Sequence, residues 1–459
     1  MISPKSLLRF REKSVIIEKT GKGTADGVWK MDNAFSLKPN MLLGTASTAT
    51  QIDGGALDHT WNRWYAKGHI RDGSSPAVAA RHWEHWWEDV MLLRRLGMQT
   101  YRLGVEWARM EPAEGYFDEK AIAHFKEEIL LLIGMGIAPL VTFQRFTNPL
   151  WFEKKGGWAN YENIRLFLLF VEKMVRSLGH LVSEYITFDE ANVYAMNGYM
   201  TGAWPPGLRK TGLAMRVMSN MATAHIKAYR LIHDMRRSMG FRNTKVSFAN
   251  RMQVFTPKDP KNLLHRRTAE EGDRLFQTQL TVAMATGEFK RPLKNQGGDR
   301  RGAYCDFHAL NYYCRCTVGA VGAVADAGGM KSDLGWEIWP EGIVECCQRL
   351  YGMAPLPIYI TANGACDMAD SFRARFLYEH LRELCQAKLP IKRYYYNCFL
   401  DGFEWLEGNY AKFGLVSVHP ETMERSVKAS GKFLSAIIQR GGVTQALYDE
   451  YVDGQAYHY

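Results

Sequence analysis

Two carboxylates stand side by side at Asp189–Glu190, directly after the apolar run Tyr185-Ile186-Thr187-Phe188. A carboxyl crowded by a second one is pushed toward its protonated form, which suits a general acid. The sequence therefore predicts a raised pKa for Glu190 and a proton-donating role beside Asp189. Arg102 ends another apolar run, Thr100-Tyr101-Arg102-Leu103, and carries a fixed cation inward. Buried arginines need carboxylate partners, so a structural ion pair and a ligand-binding role are both open for it. Asp401-Gly402-Phe403-Glu404-Trp405 sets an aromatic face beside a carboxylate. Sugars call for that pairing, because their C–H faces stack on rings and their hydroxyls donate to charged acceptors. The chain has 13 tryptophans, and Trp151, Trp158, Trp204, Trp336 and Trp339 fall near predicted loops, which extends the theme. Asn148-Pro149-Leu150-Trp151 and Trp204-Pro205-Pro206-Gly207 are expected to be rigid cleft walls.

These groups are far apart in sequence, so the fold must gather them. Short β-rich runs at Met41–Thr45, Thr100–Leu103, Ile137–Thr142, Tyr185–Phe188, Lys245–Phe248, Tyr304–Leu310, Pro357–Thr361 and Arg393–Leu400 read as strands. Helical patterns separate them, at His82–Leu96, Glu119–Gly134, Ile164–Ser177, Leu213–Met239 and Phe372–Gln386 among others. Eight strands, most followed by a helix, predict parallel pairing through right-handed crossovers. The closed form is a single (β/α)8 barrel, expected over residues 41–459 with residues 1–40 as an extension packed on it. A barrel places its chemistry at the C-terminal ends of its strands. The polar residues expected there are Gln51, Arg102, Arg145, Asp189–Glu190, Asn311–Tyr313, Asn363 and Asp401–Glu404, from seven different strands.

The remaining composition narrows the function classes. The net charge is +10, but the basic residues are scattered, with short runs only at 5–13, Arg236–Arg237 and Arg300–Arg301. That distribution reads as a solvated surface, and no nucleic-acid partner is expected. All eight cysteines lie between Cys305 and Cys398, and Cys314-x-Cys316 and Cys346–Cys347 are not zinc spacings. They read as reduced, packed thiols of a cytoplasmic protein. The charged N-terminus lacks the apolar core of a signal peptide, and no run of 18 apolar residues would enter a membrane. No metal or organic cofactor is expected, since no ligand cluster and no glycine-rich phosphate loop occurs. His225, in the helical stretch Met221–His233, reads as a packed structural histidine. A small-molecule glycoside is the expected partner, and self-association is left open.

Longer runs carry a family resemblance. They include Leu43-Gly44-Thr45-Ala46 with Gln51, Tyr101–Arg109, Gly156-Gly157-Trp158, Thr187–Asn192 and Gly198-Tyr199 through Pro206-Gly207. They continue with Asp306–Tyr313, Tyr359–Gly364, Phe403-Glu404-Trp405 and Lys412-Phe413-Gly414-Leu415. From about Met41 to Val418 the chain resembles glycoside hydrolase family 1, the β-glucosidase-like retaining enzymes. The resemblance implies that Glu190 is the acid/base and that Arg102 and Tyr313 flank the nucleophile. It further implies that Gln51, Glu404 and Trp405 hold the sugar; Asn311 and Trp336 join them as expected binding residues.

The same resemblance marks departures. The nucleophile position of Tyr359-Ile360-Thr361-Ala362-Asn363-Gly364 is an alanine. The family's inner histidine is Arg145, its asparagine before the acid/base is Asp189, the following proline is Ala191, and a tryptophan of the last strand is Asn397. Retaining hydrolysis needs two carboxyls about 5–5.5 Å apart, one of which attacks the anomeric carbon. A methyl group cannot attack, so a covalent intermediate through position 362 is excluded. Three readings follow: a deliberate knock-out of the nucleophile, a sugar-binding relative without chemistry, or a divergent enzyme. In the last, Asp189 and Glu190 would flank a water, or the substrate would supply its own nucleophile, and Arg145 and Arg102 would receive an anionic sugar.

Overall fold

The computed structural model describes residues 33–326 and 328–459. Eight parallel strands close into a barrel: β1 (Leu42–Ala46), β2 (Thr100–Gly104), β3 (Ala138–Gln144), β4 (Glu184–Asp189), β5 (Lys245–Pro257), β6 (His308–Val318), β7 (Ile358–Asn363) and β8 (Ile391–Asn397). Each strand pairs with its sequence neighbour, and β1 also pairs with β8, Leu42 facing Arg393 and Ala46 facing Asn397. The expected single (β/α)8 barrel is the observed one.

Two cores make this arrangement stable. Inside the barrel, Ala46, Leu140, Ile186, Ala249, Phe307 and Tyr395 belong to one buried cluster, small side chains interleaving with large ones. Outside it, helices lay apolar stripes on the strands. In the helix Ile164–Leu178, Ile164, Phe167, Val171, Met174 and Leu178 are buried at three- and four-residue spacing. His225, on the helix Thr211–Ser238, bridges the Thr187 hydroxyl at 2.7 Å and the Tyr304 carbonyl at 2.7 Å. That makes it the packed structural histidine its helical setting suggested.

Three strands differ from expectation, and one of them, β8, spans Ile391–Asn397 and stops three residues short of Leu400. β5 runs nine residues past Phe248, to Pro257, and β6 starts at His308 rather than Tyr304 and continues to Val318. They pair with each other as far as Pro257 and Val318. The sequence hides this extension because Asn250-Arg251 and Cys314-Arg315-Cys316 interrupt the apolar pattern while the backbone ladder goes on. Tyr304 lies in the approach to β6, where its hydroxyl donates to the Arg300 carbonyl. Residues 1–32 of the expected extension lie outside the described residues. A two-residue strand at Phe35–Ser36 pairs antiparallel with Gly442–Val443.

Candidate functional site

Register breaks mark where the site is built. The pairings β4–β5, β6–β7 and β7–β8 shift after Ile186, Leu310 and Ile360 respectively, in the C-terminal halves of β4 and β7 but early in the long β6. Such irregularities re-aim side chains that a regular ladder would bury in the sheet. Just past β4, Glu190 adopts the left-handed conformation with φ 58°. Phe146 and Trp405 are also left-handed, with φ 57° and 56°. All three line one cavity of about 400 Å³ at the barrel mouth. Among the described residues, five other non-glycine residues share this uncommon geometry elsewhere, but three on the wall of one cavity fit a functional site.

Beneath the cavity lies a buried ion cluster. Asp189 accepts from Arg102 Nη1 at 2.6 Å and from Arg145 Nη1 at 2.8 Å, both on Oδ2, and from Asn311 Nδ2 at 2.7 Å on Oδ1. The Asn311 amide also donates to Glu190 at 2.8 Å, and its carbonyl accepts from the Thr361 hydroxyl at 2.7 Å. Burial opposes ionisation of Asp189, but the Arg102 and Arg145 cations outweigh it and hold the carboxyl below its usual range. This corrects one expectation. Asp189 does not act on Glu190 as a free crowding charge, because two guanidinium groups neutralise it. Arg102 and Arg145 are both already paired with Asp189, and that sharing leaves one of their two positive charges unbalanced. Arg102 is an ion-pair residue in the middle of β2, only 1% exposed, rather than a residue at the cavity wall.

The remaining expected residues separate into cavity lining and support. Glu190, Arg145, Tyr313, Trp336, Glu404 and Trp405 line the cavity. Gln51 does not, but its amide donates to Glu404 Oε2 at 2.8 Å and so fixes that carboxyl. Asn311, Asp189 and Ala362 lie behind the wall, and Ala362 is fully buried against Tyr313 and Cys314, with Trp336 packed on the group. Within the ion cluster, Arg102 Nε and Nη2 have no hydrogen-bond partner. The Tyr313 hydroxyl lies beside Arg145 yet makes no hydrogen bond of good geometry. Buried donors normally find acceptors, and a carboxylate is the acceptor this set would satisfy. Of the expected cleft walls, Trp204 lines the cavity, whereas Trp151 packs edge-on to Trp107 and Phe152; Trp158, one of the other loop tryptophans, is buried against Phe167 and Phe188.

Glu404 has a strongly displaced acidity. Burial raises its pKa from 4.5 to about 8, against the pull of Arg145. Its folded pKa exceeds its unfolded one, so folding is favoured most below pH 4.5 and that advantage is lost as pH rises toward 8. The buried histidines His59, His225 and His380 have lowered pKa values, and their opposing effect ends near pH 6.5. From pH 6.5 to 8 the Glu404 contribution falls by about 2 kcal/mol. Glu404→Gln is expected to flatten the stability–pH curve over that interval by this amount. Urea unfolding at four pH values checks it; parallel curves for both proteins would refute the assignment.

Several lining residues were not anticipated, among them Phe146, Asp333 and Arg251, and the last carries a charge that the sequence pattern hides. Arg251 lies on the part of β5 that the apolar pattern misses, and it lines the cavity beside Tyr313 and Trp336. The signal was available as an arginine at a barrel strand's C-terminal half, had the strand been extended through Asn250. Asn397, marked above as a departure, also lines the cavity. Among the described residues no group of three or more His, Cys, Asp or Glu is arranged to hold a metal ion. The eight cysteines are unpaired, and no described helix is long and apolar enough to cross a membrane.

Comparison with known proteins agrees with this geometry. The model of the family described as glycosyl hydrolase family 1 matches residues 34–443. Beta-glucosidase A of Thermotoga maritima is 27% identical over 452 residues, spanning 90% of this chain and 99% of that protein. The structure of a beta-glycosidase from Pyrococcus horikoshii superposes with a TM-score of 0.83 at 32% identity, covering 92% of this chain and 98% of the other. A Thermotoga maritima beta-glucosidase solved in complex with deoxynojirimycin gives 0.81 at 26% identity, covering 89% and 100%.

Proposed function

Because the chain belongs to glycosyl hydrolase family 1, we propose that its barrel mouth binds a β-linked glycoside but does not hydrolyse it through a covalent intermediate. The observation that carries this reading is Ala362, a methyl group where the resemblance calls for the attacking carboxylate. Binding is supported by what remains: a cavity of about 400 Å³ walled by Trp405, Trp204 and Trp336, with the Gln51–Glu404 pair offering polar contacts. Up to about pH 8 Glu404 is protonated, so it can donate to a sugar hydroxyl as well as accept from one.

Hydrolysis rerouted through a water between Asp189 and Glu190 fits less well. Asp189 already accepts three hydrogen bonds, two of them from arginines, and its lowered pKa makes it a poor base. The test is nitrophenol release from β-glucoside, β-galactoside and β-glucuronide substrates, alongside tryptophan-fluorescence titration with the same sugars. Binding without unaided release is expected, with weak release when azide or formate is added. Unaided release that disappears in Glu190→Gln would overturn the proposal, and so would failure to bind any of the three.

A further inference from the structure

Arg251 differs from every other arginine at the mouth in its electrostatic surroundings. Arg102 and Arg145 share Asp189, and Arg71 pairs with Glu407 at 2.5 Å. The cavity's Asp333 is engaged by His458 at 2.7 Å. Arg251 makes no ion pair among the described residues. Its Nη2 donates only to the Cys314 thiol sulfur at 3.1 Å, and its buried Nε has no partner. An arginine left without a carboxylate in a partly enclosed, aromatic setting is costly, unless a ligand supplies the missing anion.

The setting also fixes the cation in place. The guanidinium lies 4.6 Å from the Trp336 ring centre and 5.4 Å from that of Tyr313. Its backbone is clasped by Asn192, whose Nδ2 donates to the Arg251 carbonyl at 2.8 Å and whose Oδ1 accepts from the Arg251 amide at 3.3 Å. Asn192 lies two residues past Glu190, so one short segment carries the acidic side chain and anchors the strand that bears the arginine. The charge balance leaves room for an anion. Two arginines share the single charge of Asp189, Glu404 is uncharged below about pH 8, Glu407 is paired with Arg71, Asp333 is bonded to His458, and Glu190 is the cavity carboxylate whose charge acts on Arg251.

We propose that Arg251, braced by Trp336 and Tyr313, is an anion-recognising subsite that takes the carboxylate of an acidic aglycone on a β-glycoside. This rests on the glycoside-binding reading above. Barrel order puts the charge at the aglycone end. Gln51 and Glu404 are carried by the segments following β1 and β8, which adjoin, whereas β5 stands across the barrel from β1. A sugar gripped by Glu404 therefore directs its aglycone toward Arg251 and Glu190.

The test is calorimetric titration of the full chain with phenyl β-glucoside, 4-carboxyphenyl β-glucoside and phenyl β-glucuronide, at low and high salt. The 4-carboxyphenyl glucoside is expected to bind roughly tenfold or more tightly than the phenyl glucoside, with the advantage shrinking in high salt. Arg251→Met should bring that ratio close to one, and Arg251→Lys should retain part of it, which separates lost charge from lost folding. Equal binding of the two glucosides, or a preference that survives Arg251→Met, would overturn the subsite while leaving glycoside binding intact. A preference for the glucuronide would overturn the aglycone placement. Failure of all three ligands to bind would overturn both proposals.

Discussion

Replacing Asp189 by Asn is expected to destabilise the protein by about 3–5 kcal/mol, the largest stability effect of any single change in the site. The substitution keeps shape and size but leaves the Arg102 and Arg145 guanidinium groups buried without a counter-charge. The cluster's geometry predicts a specific rescue. In Asp189→Asn/Arg145→Met the second cation is gone, and Arg102 is left facing an amide and Asn311. The double variant should therefore be more stable than the sum of the two single changes by roughly 1–3 kcal/mol. Urea midpoints for the four proteins of the cycle measure this directly. Additive losses would mean that the two arginines do not depend on the shared carboxylate.

Restoring a carboxylate by Ala362→Glu is expected to raise aryl β-glucoside hydrolysis on the order of a hundredfold or more above the unsubstituted chain. The argument starts from unpaired groups. Arg102 Nε and Nη2 and the hydroxyl of Tyr313, which packs on Ala362, have no acceptor, and Glu190 is held by Asn311 on β6, the strand next to the one that bears position 362. A tethered, oriented carboxylate should also outperform added azide, because intramolecular groups reach effective molarities on the order of 10⁵ M and above. Mass spectrometry of the protein with a slow 2-fluoro glycoside would register the covalent adduct. If Ala362→Glu remains silent but gains activity once Arg145→His and Asp189→Asn are added, the ion cluster itself blocks the sugar. Silence in all combinations would count against the shared ancestry of the chemistry at this mouth.

The barrel was legible because its signal is repeated: eight β-rich runs and intervening helical patterns all point to one closed sheet. What escaped notice follows from how the signal is carried. Hydrophobic pattern reports burial of side chains, so it ended β5 at Phe248 although the backbone ladder continues to Pro257. Arg251 was lost with that extension. Asp189 was misread because adjacency in sequence suggested that it would act on Glu190. In three dimensions its carboxylate turns toward Arg102 and Arg145, residues 87 and 44 positions away. Long-range electrostatic partners cannot be read from local spacing, whereas the motif around Glu404 could be, since its ring and carboxylate are neighbours in the chain.

The short strand Phe35–Ser36 and its partner Gly442–Val443 have a bearing on how the molecule is made. The barrel's closing pair, β1 with β8, joins residues about 351 positions apart, as in the bond from Thr45 to Tyr396. The terminal ribbon closes only after some 45 more residues are synthesised. At a ribosomal pace of roughly 5–20 residues per second, β1 therefore waits roughly 20–70 seconds with one edge unpaired. During that interval its Leu42-Leu43-Gly44-Thr45-Ala46 backbone is open to other extended chains. Nascent-chain holding factors, rather than thermodynamic stability, would then set the yield, and slowing translation late in the message should lower it.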